Sequence, residues 1–208
     1  MSLKDNETYF SQVRVIAVLT PESVASALAL SRVLLDAGLR MHEITLRTDC
    51  GLEAIAALTR ELPGLIVGAG SVITPALGEA AIHAGARFLV SPGTNDALLQ
   101  FAADCSVPFL PGVSTVSEAM RVLALGCSAA KLFPADVLGG IAFLRSLAGP
   151  LAAMKFCPSG GMDAQVAPGY LRLSNVLAIG GSWMAPADLV REKRFAEIGR
   201  LAQAAAAL

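Results

Sequence analysis

Along the chain, short apolar runs alternate with longer alanine- and leucine-rich stretches whose apolar positions recur at helical spacing, and turn residues separate the two kinds. The short runs, at residues 13–19, 41–46, 65–69, 87–90, 107–110, 129–133, 153–157 and 176–179, read as strands buried on both faces. Thr20-Pro21 and Thr74-Pro75 each supply an N-cap hydroxyl and a proline at the first helical position, opening helices that stop at Gly38 and near Gly85. Further helices are expected over 52–62, over 95–104, from a Ser114 or Thr115 cap to Gly126, and over 140–147. A short helix follows near 163–167, and a last one runs from about Ala187 into the alanine-rich tail. Eight strand–helix units without a long non-helical insertion predict an α/β chain folded as one (β/α)8 TIM barrel over 1–208, with a short N-terminal lead-in. Such a barrel is smaller than the ~250 residues typical of the fold. A doubly wound open sheet is the alternative arrangement.

Composition agrees with buried strands: 54% of the residues are hydrophobic and only 16% charged. The formal net charge is −1 and the basic residues are scattered, so nothing points to nucleic acid, and an anionic ligand has to be met by local groups. No apolar run approaches the roughly 18 residues of a membrane span. The start, Met1 to Gln12, is polar and mixed in charge rather than signal-like, which places the protein in the cytoplasm. Cys50, Cys105, Cys127 and Cys157 are far apart with no C-x-x-C pair, against both a zinc site and a disulfide framework.

In a barrel the chemistry gathers where the strands end. Within 41–48 the strand period puts Glu43, Thr45 and Arg47 on one face, and a polar set of that kind belongs inside, because the outer face packs on helices. Lys131 stands in an apolar strand that Pro134 halts, with Phe133 on its face. Desolvating an ammonium favours the amine, the form that attacks a carbonyl to make a Schiff base. The plainer reading is a lysine whose stem packs while its head reaches water, and for Glu43 a core ion pair with Arg47. Gly68-Ala69-Gly70-Ser71 leaves room for a ligand and adds a hydroxyl, while Ser91-Pro92-Gly93-Thr94 also reads as a helix cap. Two glycine pairs, Gly160-Gly161 and Gly180-Gly181, follow the last two strands; they are ordinary turns or backbone cradles for a phosphate. His42 and His83 read as packing or surface residues, and Lys155, earlier in its strand, as a snorkelling lysine.

The segments Glu43-Ile44-Thr45-Leu46-Arg47-Thr48, Val67-Gly68-Ala69-Gly70-Ser71-Val72, Ser91-Pro92-Gly93, Pro111-Gly112-Val113-Ser114-Thr115, Lys131-Leu132-Phe133-Pro134-Ala135, Phe156-Cys157-Pro158-Ser159-Gly160-Gly161 and Gly180-Gly181-Ser182-Trp183 resemble those of the KDPG/KHG aldolase family. The resemblance runs in register over nearly the whole chain. It implies a class I aldolase that splits 2-keto-3-deoxy-6-phosphogluconate into pyruvate and glyceraldehyde 3-phosphate, with a related activity on 4-hydroxy-2-oxoglutarate, in a homotrimer needing no metal or other cofactor. It implies Lys131 as the Schiff-base residue, Glu43 as the acid/base and Arg47 as the carboxylate-binding residue. Ser71, Pro92, Phe133 and Ser159 would contact substrate, and Gly160, Gly161, Gly181 and Ser182 would hold phosphate. Four positions depart from the family pattern: Ser71 and Ser159 stand for threonine, Asp136 for glutamate, and Thr20 for a basic residue.

Three other functions share this outline. A phosphosugar isomerase or epimerase barrel would use the glycine loops without Lys131, a metal-dependent pyruvate aldolase would need a ligand cluster not seen at the strand ends, and a non-catalytic phosphoester-binding barrel would leave Glu43 and Arg47 without a task.

Overall fold

The computed structural model describes residues 6–208, and Met1 to Asp5 of the expected lead-in lie outside them. A helix not anticipated from sequence, α1 (Asn6–Phe10), precedes β1 (Val15–Leu19). Then come α2 (Val24–Asp36), β2 (Met41–Thr45), α3 (Gly51–Glu61), β3 (Ile66–Gly70), α4 (Pro75–His83), β4 (Leu89–Val90) and α5 (Asp96–Asp104). The chain continues through β5 (Phe109–Leu110), β6 (Gly112–Val113), α6 (Val116–Ala124), β7 (Ala129–Leu132), α7 (Gly140–Leu147), β8 (Lys155–Pro158), α8 (Ala167–Leu171), β9 (Ile179–Gly181), α9 (Ala187–Arg191) and α10 (Phe195–Ala206).

This is an α/β fold of parallel strands in two sheets, ordered β5-β4-β3-β2-β1-β9 and β6-β7-β8. The sheets adjoin twice. Only Pro111 separates β5 from β6, and a proline has no N–H for the ladder, which breaks the fifth apolar run into two short strands. On the other side, the parallel bridges Phe156↔Val176 and Ser159↔Gly180 link the β8 segment to the β9 segment.

The two-residue strand period sorts the core into two layers. One face of the strands, with Ala17, Leu19, Ile44, Val67 and Ala69, packs under the helices. The other supplies a separate cluster of Phe10, Ile16, Met41, Phe88, Val90, Leu110, Ala129, Cys157 and Ala178. Here Phe10 of α1 meets Phe88 edge-on, with ring centroids 5.6 Å apart. Two residues further along the same strands stand Val18, Glu43, Pro92, Gly112, Lys131, Ser159 and Gly180. An apolar floor thus supports a tier of polar and small residues.

Several boundaries differ from the sequence reading. Thr20 does not cap α2; Ser23 does, in a capping box in which its hydroxyl accepts from Ser26 N at 3.1 Å while the Ser26 hydroxyl accepts from Ser23 N at 3.2 Å. The helix expected near 163–167 begins only at Ala167, because the Asp163 carboxylate holds Gln165 N and Val166 N in a turn at 2.7 and 2.9 Å. The final helix is broken between α9 and α10 at Lys193, whose φ of 55° no helix accommodates.

Candidate active site

Lys131 on β7 and Glu43 on β2, 88 positions apart, meet across the interior: Nζ donates to Oε1 at 3.1 Å and to Oε2 at 3.4 Å. Both are buried, at 7% and 3% exposure, so each charge depends on the other. The Phe133 ring lies 5.4 Å from Nζ, its face toward the cation. Gly70, expected to leave room for a ligand, leaves room for Glu43 instead: a Cβ there would run into the carboxylate. Two serine hydroxyls tie the segments beside Lys131. Ser91 Oγ accepts from Gly112 N at 3.0 Å, and the Ser114 hydroxyl donates to the Phe133 carbonyl at 2.7 Å.

Arg47 is placed differently from expectation. It lies in the turn past the end of β2, outside the strand period and in an exposed position, so the core ion pair of Glu43 is with Lys131 and not with Arg47. Its guanidinium Nη2 donates to Thr20 Oγ1 at 2.7 Å. Arg47, Thr20, Ser182 and Trp183 line a cavity of about 360 Å³ whose walls also include Leu19, Leu30 and Ile44 of the layer beneath the helices, and neither Lys131 nor Glu43 reaches it.

The remaining candidates ring the upper tier. Ser71 sits half-buried with a left-handed φ of 59°, a conformation costly for a non-glycine residue and one that turns the chain sharply after β3. Pro92 lies where Gly112 passes against its backbone so closely that a side chain at Gly112 would collide. Ser159 is buried beside Gly180, and its carbonyl accepts from Ala135 N at 2.8 Å, tying the loop after β8 to the one after β7. Gly160 and Gly161 take left-handed φ values of 95° and 70°, and among the described residues their N–H groups have no partner. The expected helix N-terminus does not stand directly behind them, since α8 starts six positions on from Gly161. The Asp136 side chain fills the space that a side chain at Gly161 would need. Gly181 is buried against Trp183, and Ser182 is exposed. Sequence reasoning gave no role to Thr20 beyond a helix cap and a departure from pattern. Its place in the series Ile16, Val18, Thr20, on the face of the inner cluster, was the available signal.

Away from the site, Lys155 donates to the Ser174 carbonyl at 2.9 Å at the opposite end of its strand. Cys157, directly beneath the pair, is inert: burial pushes its thiol up to about 12. Among the described residues no three His, Cys, Asp or Glu side chains gather into a metal-ligand set, and no helix is long and apolar enough to cross a membrane. A buried amine in contact with a carboxylate, on parallel strands, can form an imine and move a proton beside it.

Residues 7–201 match the family model described as KDPG and KHG aldolase. The 2-dehydro-3-deoxy-phosphogluconate aldolase of Pseudomonas aeruginosa is 42% identical over 199 residues, covering 96% of this chain and 90% of that one. The crystal structure of the KDPG aldolase of Legionella pneumophila, with pyruvate captured as a covalent carbinolamine, superposes with a TM-score of 0.94 at 36% identity, covering 97% of this chain and 98% of that one. That of the Zymomonas mobilis aldolase with 3-phosphoglycerate gives 0.92 at 37% identity, covering 99% and 97%.

Proposed function

The chain belongs to the KDPG and KHG aldolase family, and from that premise we propose that it is a class I aldolase cleaving 2-keto-3-deoxy-6-phosphogluconate to pyruvate and glyceraldehyde 3-phosphate, and 4-hydroxy-2-oxoglutarate to pyruvate and glyoxylate. The observation that carries this reading is the buried contact of Lys131 Nζ with the Glu43 carboxylate. Glu43 takes a proton from the ammonium, and the freed amine attacks the ketone carbon. Glu43 returns that proton to the carbinolamine hydroxyl, which leaves as water, so that a protonated imine faces a carboxylate again. The C3–C4 bond then breaks, its electrons moving into the imine as an enamine while Glu43 accepts the C4 hydroxyl proton, directly or through water, and the aldehyde departs. The enamine is reprotonated at carbon, and hydrolysis releases pyruvate and the lysine. Arg47 receives the carboxylate of the keto acid, and Ser71, Pro92, Phe133 and Ser159 shape the space around the imine.

Gly160, Gly161, Gly181 and Ser182 hold the phosphate. The free N–H groups of Gly160 and Gly161 support that role, and the ligand of the Zymomonas relative is itself a phosphate ester. Asp136 packed on Gly161 works against a dianion, so the two substrates are the comparison to make.

The two sheets are read as one closed (β/α)8 barrel forming a single domain. The junction at Pro111, the bridges between the β8 and β9 segments and the cross-interior pair of Lys131 and Glu43 all support closure. The family resemblance supports a homotrimer, and four free cysteines suit a reducing cytoplasm. The test is retro-aldol cleavage of both substrates alongside borohydride reduction with pyruvate. We expect cleavage, and inactivation with a pyruvate-derived mass on Lys131. A label on Lys155, or no label, overturns the assignment.

A further inference from the structure

We infer that Thr20 is a positioning residue for substrate binding: its hydroxyl fixes the Arg47 guanidinium at the rim of the cavity and keeps one donor free for the same carboxylate. The inference rests on the aldolase reading and on Arg47 as its carboxylate anchor. Arg47 is exposed and lies beyond the end of β2, so its strand alone does not hold it. Its Nη2 donates to Thr20 Oγ1 at 2.7 Å, a short bond as expected when the donor is charged. The same oxygen accepts from the Thr45 hydroxyl at 3.0 Å. Thr45 is 1% exposed and ends β2 on the face that Glu43 shares, so the anchor reaches back to the strand that carries the proposed acid/base.

A hydroxyl has two lone pairs and one proton. Both lone pairs of Thr20 are taken, by Thr45 and by Arg47, and the proton remains to be given. Thr20 and Arg47 therefore present an O–H and the unused guanidinium N–H groups from one point, a donor set that suits the carboxylate of a 2-oxo acid. Glu22 lines the same cavity. Without the Thr20 oxygen, the long Arg47 side chain regains its rotamer freedom and has a competing carboxylate within its cavity. The series Ile16, Val18, Thr20 continues the floor of the interior to its rim, which is why a loop residue just past β1 meets one just past β2.

The test is a double-mutant cycle between Thr20 and Arg47 in the full-length protein. Thr20→Val, nearly the same shape without the hydroxyl, should raise KM for the phosphogluconate, and the pyruvate concentration that half-saturates borohydride trapping, by about ten-fold, the loss of one hydrogen bond to a charged group. kcat should stay within about two-fold, and thermal unfolding should confirm that the variant is folded. Thr20→Ser should recover most of the loss, and Thr20→Ala, a second hydroxyl-free variant, should reproduce it. In an Arg47→Ala background the Thr20→Val change should cost clearly less than in the wild type, since only the direct contact of the hydroxyl with the carboxylate is then left to lose. Unchanged KM, a fall in kcat at constant KM, or the full ten-fold effect persisting without Arg47 would overturn the inference. A wild type that neither cleaves nor is trapped removes the aldolase reading and this inference with it. One that does both, beside an indifferent Thr20→Val, removes only this one.

Discussion

Glu43 and His42 are neighbours on β2, both buried and both titratable, and they face opposite ways. Glu43 looks into the interior, where Lys131 Nζ meets it at 3.1 Å. His42 pairs in register with Ala17 and Val67 of the layer beneath the helices, donates Nε2–H to the Leu39 carbonyl at 3.1 Å, and among the described residues leaves Nδ1 without a partner. A buried carboxylate against an amine has a hydrogen-bonding partner that offsets its lost hydration. A buried imidazole with no anion keeps no charge, and burial pulls His42 down to about 4. Depth alone therefore does not mark a reactive group. The partner facing it does, and the two faces of one strand should respond to substitution in unrelated ways.

The largest effect belongs to the inner face. Glu43→Gln keeps the shape and a hydrogen bond but removes the proposed base, so cleavage should fall by about two to four powers of ten. Borohydride trapping with pyruvate should slow yet still reach completion, because the nucleophile is intact. Exchange of the pyruvate methyl protons with deuterated water should fall along with cleavage. Near-native cleavage and exchange would reduce Glu43 to an ion-pair partner of Lys131.

A gentler way to disturb the same face is Gly70→Ala. The added methyl collides with the carboxylate and must push it from Lys131 while leaving both functional groups chemically present. Displacement of about 1 Å in a proton-transfer group costs on the order of 10²-fold, so kcat should drop by about that much. An unaffected kcat would mean that the contact in the resting enzyme is not the working geometry.

What could be read in advance followed from short-range rules. The strand period put Glu43 and Thr45 on one face, Thr74 and Thr115 cap α4 and α6 as expected, and each of the eight apolar runs overlaps a strand, the last at Ile179 alone. The misreadings arose where a distant partner competed with a local signal. Thr20-Pro21 carries the local mark of a helix start, but the Thr20 hydroxyl is engaged by Arg47 and Thr45, and Ser23 with Ser26 makes a better cap three residues later. Gly70 looked like ligand space because nothing in the sequence near it says that Glu43 will lie over it. The pairing of Glu43 with Lys131 instead of Arg47 spans 88 positions and is settled by how the two sheets face each other.

The outer face of β2 gives a test that leaves catalysis alone. In the unfolded chain a histidine takes up a proton near pH 6.5, whereas folded His42 resists until about 4, because a second N–H on Nδ1 would be a buried charge with nothing to accept it. Between those two values the unfolded state binds the extra proton, so the stabilisation from His42 is complete above about pH 6.5 and drains away as pH falls toward 4. Across that window the loss from this one residue is about 3 kcal/mol, and below it the residue contributes no further pH dependence. His42→Leu cannot be judged by its stability at pH 7, since it also gives up the bond to Leu39 and changes the packing. Its slope is the informative quantity. Urea unfolding at several pH values from 7 to 4 should show the variant losing less stability than wild type over the same interval, while cleavage at pH 7 stays within about three-fold, because no atom of His42 faces the interior. Equal slopes would mean that His42 finds an acceptor for its second proton in the folded state. A collapse of activity at pH 7 with the fold intact would mean that the two faces of β2 are coupled after all.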